Sequence, residues 1–302
     1  MGPVVLVANP TAGGGRGRRM IPRAEAALGA LGFEQRLVMT DDGAHPLRAA
    51  REAAAEGVLA VVALGGDGLV GSCAEGLVGT ETALAVVPAG NGNDFARSLG
   101  LHPKRPFLAL EYLREERLRA VDAVRAEGPG WERHYVCVGG AGFDSEVNAY
   151  ANTLTRLRGA ARYIAAVFWT LARFRPAEFT VRVDGEELRL SAMMVAVANA
   201  PRYGGGMMVC PEASLDDGLI DVCVVRAISR RTFIAVFPKV FRGTHVTHPA
   251  VTMLRGQKIE IEAARPFDVY GDGERLGPLP ATFTSVAGAL QVAATMNKEA
   301  YR

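Results

Sequence analysis

Short apolar runs alternate with longer segments of mixed polarity over the first third of the chain. The run from 58 to 64 contains only aliphatic residues and alanine, and it ends at Gly65 and Gly66. Apolar residues at every position are typical of a strand that is buried on both faces of a parallel sheet. We predict strands at 4–8, 34–39, 58–64 and 83–88, separated by helices at about 20–31, 46–56 and 69–77. This order predicts a doubly wound, mostly parallel α/β domain.

The pattern changes near Arg119 to short strands with turn residues between them. We predict strands at 120–126, 133–138, 178–183, 188–198, 220–225 and 258–262, and one helical stretch at about 145–174. The glycine-rich segments 139–144 and 270–274 are predicted to lie outside strands. These elements favour a larger, β-rich and β-sandwich-like second domain. The predicted domains are 1–121 and 122–295, followed by a tail at 296–302 that we expect to pack back on the first domain.

Chain length, amino-acid composition and net charge limit which classes of protein fit the sequence. A chain of 302 residues is longer than a single core usually grows, which supports two domains. Apolar residues make up 49% and charged residues 22%, as in ordinary folded soluble proteins, and a net charge of +2 does not suggest a nucleic-acid partner. The four widely spaced cysteines predict reduced core thiols in a cytoplasmic protein. We find no signal peptide, and no apolar run approaches the roughly twenty residues needed to span a bilayer.

Three glycine-containing loops follow three of the predicted strands, at 9–17, 65–68 and 89–97. Ligands of open α/β sheets bind at the carboxyl ends of the strands, which lie at one edge. Glycine lets backbone N–H groups approach an anion, and the helix that follows directs its positive end to the same place. The loops therefore predict a nucleotide phosphate site. The first loop matches neither the dinucleotide fingerprint nor the phosphate loop ending in Gly-Lys-Ser/Thr.

Carboxylates occur in two of these loops, at Asp67 and Asp94. A carboxylate repels phosphate unless a cation lies between them, so the sequence predicts Mg²⁺ beside the nucleotide. Taken alone, the segment from Gly65 to Gly68 is also an ordinary tight-turn composition.

Two further segments carry candidate chemistry. The loop from Ser214 to Leu219 is rich in oxygen ligands of the kind that hard cations prefer, although an Asp-Gly hairpin explains it as well. Asp272-Gly273-Glu274 offers two carboxylates, either of which is a candidate general base, and its alternative is again a hairpin turn.

Together these motifs resemble those of the bacterial lipid kinases of the diacylglycerol kinase catalytic-domain family, in the same order and spacing over nearly the whole chain. They are Asn9-Pro10 with Gly13-Gly14-Gly15, Gly65-Gly66-Asp67-Gly68, Pro88-x-Gly90-x-Gly92 followed by Asn93 to Arg97, Gly142-Phe143-Asp144, Asp216-Asp217-Gly218-x-x-Asp221, and Asp272-Gly273-Glu274.

The resemblance implies an ATP-dependent, Mg²⁺-dependent phosphotransferase with its active site in the cleft between the domains. It would transfer the γ-phosphate of ATP to a lipid hydroxyl, foremost that of diacylglycerol, giving phosphatidic acid. The implied ATP-binding residues are Asn9, Pro10, Thr11, Ala12, Gly13, Thr40, Gly65, Gly66, Asp67, Gly68, Leu69, Gly90, Asn91, Asn93 and Asp94.

The resemblance also implies roles for the carboxylates. Asp67 and either Asp272 or Glu274 would be catalytic, and residue types do not decide between the last two. A structural metal would be held by Asp217 and by the carbonyls of Ser214 and Leu219. Asp67, Asp94 and Asp122 would form an acidic network that reaches the metal. Relatives usually carry a hydroxyl at position 69 and Asn at 71, and many carry Thr at 91; here these are Leu69, Gly71 and Asn91.

Two other functions fit part of the pattern. A soluble kinase of the NAD kinase type shares the Gly-Gly-Asp-Gly loop, and the changes at Leu69 and Gly71 also suit a nucleotide-binding regulator with reduced activity. A lipid acceptor would be taken from a membrane surface. The apolar segment 163–172, with Arg162, Arg173 and Arg175 beside it, suits either a packed helix or transient membrane docking. The oligomeric state is open, and a homodimer is compatible with the sequence.

Overall fold

The structure, a computed structural model, describes residues 2–40, 45–154 and 159–294 and forms two compact units. Among these residues, the first unit contains 2–123, 215–217 and 286–294, and the second contains Val124–Ser214 and Gly218–Ser285. The first unit therefore continues slightly beyond the predicted boundary and regains two segments from the second half of the chain. The predicted tail at 296–302 lies outside the described residues.

The first unit alternates strands and helices, as predicted. Its elements are β1 (Pro3–Ala8), α1 (Ala12–Ala30), β2 (Glu34–Met39), α2 (His45–Ala55), β3 (Ala60–Gly65), α3 (Asp67–Leu77), β4 (Ala83–Pro88), α4 (Asp94–Ser98), α5 (Leu108–Arg114) and the start of β5 (Leu118–Gly128).

The sheet of the first unit is parallel, in the order β4-β3-β1-β2. Ala8 of β1 pairs with Leu64 of β3, and Gly65 of β3 pairs with Pro88 of β4, so these three strands end at the same level. Every residue of β3 and β4 is buried, which confirms the prediction of strands covered on both faces. The three glycine-containing loops therefore leave one edge of the sheet.

The second unit is mostly β. After β5 it contains β6 (Trp131–Tyr135), β7 (Val138–Gly142), α6 (Phe143–Thr153), α7 (Gly159–Arg173), β8 (Ala177–Val183), β9 (Glu186–Ala198), β10 (Ile220–Arg226), α8 (Arg230–Val236), two 3-10 helices (Phe237–Arg242 and Thr244–Thr247), β11 (Val251–Gly256), β12 (Lys258–Ala263), β13 (Asp268–Gly271), β14 (Glu274–Pro278) and β15 (Ala281–Ala293). The last strand begins in the second unit and ends in the first, where Val292 pairs with Leu84.

Antiparallel pairing links the strands of the second unit in the order β14-β13-β7-β9-β8-β12-β15, and β10 pairs with both β9 and β11. Three local predictions were wrong. The helical stretch at 145–174 is two helices, α6 and α7, and the glycine-rich segment at 139–142 belongs to strand β7. The segment at 270–274 was predicted to lie outside strands, but it joins β13 to β14 and only Asp272 and Gly273 lie outside them.

Glycine is required in β7 by the close approach of its neighbour. A Cβ atom at Gly142 would lie 2.6 Å from the carbonyl oxygen of Met193 in β9, and one at Gly140 would collide with the carbonyl of Val195. Glycine is unfavourable in most strands, but here its missing side chain permits the pairing. No helix in the described part of the chain has the length and apolar character needed to cross a membrane.

Candidate active site

The first loop has a backbone that only glycine adopts readily. Gly13, Gly14 and Gly15 have φ angles of 57°, 68° and 92°, and they precede the regular part of α1, which explains why the sequence predicted a later helix start. A Cβ atom at Gly13 would collide with the carbonyl of Ala89, whereas one at Gly14 or Gly15 would meet nothing within 4 Å. The first glycine thus fits against the third loop, and the other two present their backbone to open space.

Side chains at the start of this loop fix its shape. The side-chain amide oxygen (Oδ1) of Asn9 accepts hydrogen bonds from both the backbone N–H and the hydroxyl of Thr11, each at 2.8 Å. The Arg16 guanidinium donates to the carbonyl of Gly90 at 3.2 Å, which ties the first loop to the third.

The second and third loops touch through glycine backbone. A Cβ atom at Gly90 would lie 2.5 Å from the Cα atom of Gly66, so the third loop tolerates no side chain at Gly90. The Gly65 carbonyl accepts hydrogen bonds from the N–H groups of Ala89 and Gly90. Asn93, with φ of 54°, closes the third loop by bonding both polar groups of Gly90 with its side chain.

Asp67 completes this contact. Its carboxylate accepts hydrogen bonds from the backbone N–H groups of Asn93 at 2.8 Å and Asp94 at 2.5 Å. Burial raises the pKa of the Asp67 carboxyl, and the backbone hydrogen bonds from Asp94 and Asn93 oppose that shift. The residue therefore holds the third loop in place as well as supplying a carboxylate.

The remaining predicted ATP-binding residues differ in exposure. Thr40 is buried, and its N–H bonds the carbonyl of Ala8 at the end of β1. Leu69 is also buried, close to Gly65, so its side chain packs in the core where relatives carry a hydroxyl. Asn91 is exposed at the tip of the third loop. Any nucleotide contact of Leu69 would have to come from its backbone.

Asp122 and the oxygen-rich loop meet within the first unit. The Asp122 N–H donates to the Leu215 carbonyl at 2.6 Å, and its carboxylate accepts from the N–H of Gly288 at 2.8 Å. An ion pair that the sequence did not indicate lies beside them, in which the buried Arg119 contacts Asp216 at 2.6 Å. These contacts attach residues 215–217 to β5.

Asp217 itself is exposed, and Gly218 after it has φ of 72°. Across residues 2–40, 45–154 and 159–294, no group of three or more His, Cys, Asp or Glu side chains could hold a metal ion by itself. The cation site at Ser214, Asp217 and Leu219, which needs a single carboxylate, stays a prediction, as does the network of Asp67, Asp94 and Asp122.

In the second unit, Asp272 and Gly273 form the two-residue turn between β13 and β14. Both have positive φ angles, 50° and 86°, as the common hairpin turn requires. The Asp272 carboxylate accepts hydrogen bonds from the N–H groups of Val136, Cys137 and Val138 at 2.9, 2.9 and 3.2 Å. Asp272 therefore fixes the turn against the β6–β7 connection.

The same motif occurs a second time, at Asp184-Gly185-Glu186. Asp184 and Gly185 form the turn between β8 and β9 with φ angles of 49° and 93°, and the Asp184 carboxylate likewise accepts N–H groups, those of Gln257 and Lys258. A hairpin turn of sequence Asp-Gly-Glu, whose aspartate accepts hydrogen bonds from backbone N–H groups, thus occurs twice in this fold. The motif does not by itself indicate catalysis.

The environment of Glu274 shifts the pKa of its carboxyl. The residue is exposed, yet nearby protein atoms partly desolvate its carboxyl and raise its pKa, against the opposing effect of the Arg133 charge. A raised pKa makes a carboxylate a better proton acceptor near neutral pH. Arg133, which the sequence analysis did not single out, is part of this environment. Asp272 fixes the turn, and the assignment of the base to Asp272 or Glu274 stays a prediction.

Family models match both parts of the chain. The model described as the diacylglycerol kinase catalytic domain matches residues 3–126, and the model described as the YegS C-terminal NAD kinase beta sandwich-like domain matches residues 137–294. The predicted fold class, an N-terminal parallel-sheet domain with a β-sandwich-like C-terminal domain, is confirmed.

Similar proteins extend over nearly the full length. A diacylglycerol kinase of Mycobacterium tuberculosis is 34% identical over 294 residues, covering 97% of this chain and 95% of its own. A YegS-like lipid kinase of Pseudomonas aeruginosa is 29% identical, covering 91% and 90%. A solved structure of a candidate diacylglycerol kinase from Bacillus anthracis str. Sterne has a TM-score of 0.80 at 26% identity and covers 97% of each chain. This chain therefore belongs to the family of diacylglycerol kinases and YegS-like lipid kinases.

Proposed function

We propose that this protein transfers the γ-phosphate of ATP to the hydroxyl of diacylglycerol, in the presence of Mg²⁺, to give phosphatidic acid. The observation that carries the proposal is the meeting of three glycine loops at one sheet edge, with the Asp67 carboxylate joining two of them. Phosphoryl transfer demands positioning and charge neutralisation more than covalent chemistry, and backbone N–H groups together with a cation held at this edge would supply both.

Backbone groups would bind the phosphates. The left-handed conformation of Gly14 and Gly15 leaves open space where side chains would otherwise stand, beside the start of α1. A glycine turn before a helix N-terminus favours an anion through its N–H groups and the helix dipole. ATP binding would therefore need few contacts from protein side chains, which is consistent with the burial of the Leu69 side chain.

The residues of this edge fit a magnesium ion. Mg²⁺ in kinases is usually held by one or two carboxylates, substrate phosphates and water, and Asp67 and Asp94 would supply the carboxylates here. When bound, the cation would neutralise negative charge on the phosphate oxygens. The Asp67 carboxylate also keeps Asn93 and Asp94 in position, so its loss would disturb the loop and the cation together.

Glu274 would act as the general base and Asp272 as the residue that positions it. In the reaction the acceptor oxygen forms a bond to the γ-phosphorus while the bond to the bridging oxygen of ADP breaks. The hydroxyl proton passes to the Glu274 carboxylate. A positioned base contributes roughly 10²–10⁴-fold to the rate.

The second unit offers room for a lipid. A cavity of about 290 Å³ is lined by side chains of α7 and of the segment after β10, among them Val167, Leu171, Phe233 and Phe237. An almost wholly apolar wall suits an acyl chain and does not suit a nucleotide. The M. tuberculosis relative is named as a diacylglycerol kinase, and this supports the same acceptor here.

A structural cation at Asp217, with the carbonyls of Ser214 and Leu219, completes the proposal. The attachment of Leu215 and Asp216 to β5 would hold such a loop in place, and Gly218 supplies its left-handed residue. The network of Asp67, Asp94 and Asp122 would link this region to the nucleotide through water.

Turnover with γ-labelled ATP and vesicles containing diacylglycerol tests the function. We expect label in the organic phase after extraction, running with phosphatidic acid, and no product when Mg²⁺ is omitted. Label that stays in the aqueous phase with NAD as acceptor would favour a soluble kinase. ATP binding without transfer to either acceptor would favour a regulator.

A further inference from the structure

Two stretches of the second unit contain basic residues but no acidic ones. Residues 147–177 and 222–259 carry 12 Lys and Arg and no Asp or Glu, whereas the rest of the chain carries 22 Lys and Arg against 32 Asp and Glu. The small net charge of the whole protein therefore hides an uneven distribution of charge, even though Arg255 and Lys258 pair with Asp221 and Glu260 beside the second stretch. Like charges gathered on a folded surface repel one another, so such an excess suggests a negatively charged partner.

Most of the exposed large apolar side chains lie in the same two stretches. They are Ile164, Phe168, Trp169, Ile234 and Phe241, five of the eight that the described residues expose. Phe168 and Ile234 are each more than half exposed, at 57% and 52%. Single exposed apolar residues are normal, but a cluster rimmed by polar groups marks an interaction site.

Four of these side chains form one surface. Ile164 and Phe168 of α7 line the same cavity as Ile234 and Phe241, and the Arg230 guanidinium donates to the carbonyl of Ala172 at 2.6 Å. We call this the α7–α8 surface. It comprises Ile164, Phe168, Ile234 and Phe241 with the exposed cations Arg231, Lys239 and Arg242.

Core packing accounts for only one face of α7. Val167, Leu171 and Phe174 lie at helical spacing and are buried, which is the expected inward stripe. Ile164 and Phe168 lie next to this stripe, on the side of the helix that lines the cavity, and are exposed. The Trp169 ring stacks on the Tyr150 ring of α6 at 3.8 Å and lies 4.2 Å from the Arg173 guanidinium, so it packs toward α6 and not toward the cavity.

We propose that the α7–α8 surface docks this protein on a bilayer that contains anionic phospholipids. Its aromatic and aliphatic side chains would enter the interface while the surrounding cations contact headgroup phosphates, as in other interfacial helices. A second copy of the chain is a poorer occupant, because two such surfaces would bring like charges together. Docking needs no turnover, and only its use in delivering the lipid acceptor rests on the proposed function.

Vesicle sedimentation tests this directly. The full chain is mixed with vesicles of phosphatidylcholine alone or of phosphatidylcholine and phosphatidylglycerol in equal parts, at low and high salt. We expect binding to the anionic vesicles, weakened by salt. The combined change Arg231→Gln, Lys239→Gln and Arg242→Gln should weaken partitioning about 100-fold, since each cation near an anionic surface contributes about fivefold.

The apolar contribution has its own variant. Phe168→Ser should weaken partitioning by about 10-fold or more, because the variant lacks the aromatic ring whose transfer from water into the bilayer favours binding. Matched controls are Leu118→Ser, an exposed leucine of the first unit, and the combined change of the exposed Arg48, Arg51 and Arg114 to Gln; both should bind as the wild type does.

Three results would overturn the docking proposal: no binding of the wild type to anionic vesicles, equal losses in variants and controls, or a dimer in solution that Phe168→Ser dissociates. Phosphorylation of a short-chain diacylglycerol that is soluble as a monomer tests the proposed function without any membrane. If docking fails but the kinase proposal holds, that acceptor is still phosphorylated. If docking holds and the kinase proposal fails, vesicles are bound and no acceptor is phosphorylated.

Discussion

The carboxylate of Asp67 at the start of α3 accepts the backbone N–H of Asn93, 2.8 Å away in the next loop. A second hydrogen bond, from the N–H of Asp94, makes the contact bidentate. Two loops separated by strand β4 are thereby fixed to each other at the edge where we place the nucleotide phosphates. The Asp67 carboxylate is both part of the fold at this edge and the proposed ligand of the cation.

Asp67→Asn should lower kcat/KM by about 100-fold or more and raise the Mg²⁺ concentration needed for half-maximal rate, because an amide is a poor cation ligand and presents an N–H to its donors. Steady-state rates against Mg²⁺ measure both effects. Asp184→Asn is the control, since Asp184 also accepts backbone N–H groups from a turn. Similar rates for wild type and Asp67→Asn would remove Asp67 from the catalytic set.

Gly14→Ala tests the phosphate loop. Gly14 has φ of 68° with nothing within 4 Å of an added Cβ, so alanine fits but strains the backbone by roughly 1–2 kcal/mol. Gly57→Ala is matched to it, with φ of 71° and equally open space. We expect similar losses in melting temperature for both variants and weaker ATP binding for Gly14→Ala alone. Calorimetric titration with ATP provides the comparison, and equal ATP affinities would contradict the loop assignment.

A chelator tests the proposed structural cation. A metal bound only by the native state stabilises it by mass action, so EDTA should lower the melting temperature of the wild type. Asp217→Ala should melt at the temperature of the chelated wild type and no longer respond to EDTA. If EDTA does not change the melting temperature of the wild type, residues 214–219 form an ordinary turn.

The pattern of apolar residues was sufficient to predict the first unit. Strands β2 and β4 have the predicted bounds, and the three loops lie at one edge because parallel strands share the direction of their ends. Helix α3 begins two residues before the predicted Leu69, at Asp67, because Gly66 already serves as its N-cap. Strand bounds and helix starts of this kind depend on hydrophobic periodicity and on the positions of glycines, which are features of the local sequence.

Features that depend on distant contacts could not be predicted in this way. Strand β7 is rich in glycine, which argues against a strand unless a neighbour such as β9 comes too close for side chains. The return of residues 215–217 to the first unit rests on the bond from Asp122 to Leu215. The Asp-Gly-Glu motif occurs twice, so local sequence could not show that partial burial raises the pKa of Glu274.

The pH dependence of kcat should report on Glu274. A general base is active only when deprotonated, so activity falls as the pH drops through its pKa. Because partial burial raises the pKa of Glu274, this acidic limb should lie at higher pH than an ordinary glutamate would give. The same shift means that Glu274 stabilises the fold only at low pH, and that this contribution is lost as the pH rises through its raised pKa. Glu274→Gln should therefore not lower the melting temperature at neutral pH.

The single-turnover rate of Glu274→Gln, measured beside that of Glu186→Gln, tests whether Glu274 is the general base. The two residues occupy the same place in two Asp-Gly-Glu hairpins, so the substitutions make the same chemical change in the same local structure. We predict that Glu274→Gln slows phosphoryl transfer to diacylglycerol by about 10²-fold or more with an unchanged ATP dissociation constant. We predict wild-type rates for Glu186→Gln. Transfer at wild-type rate by Glu274→Gln, or an equal loss in both variants, would contradict the assignment of Glu274 as the base.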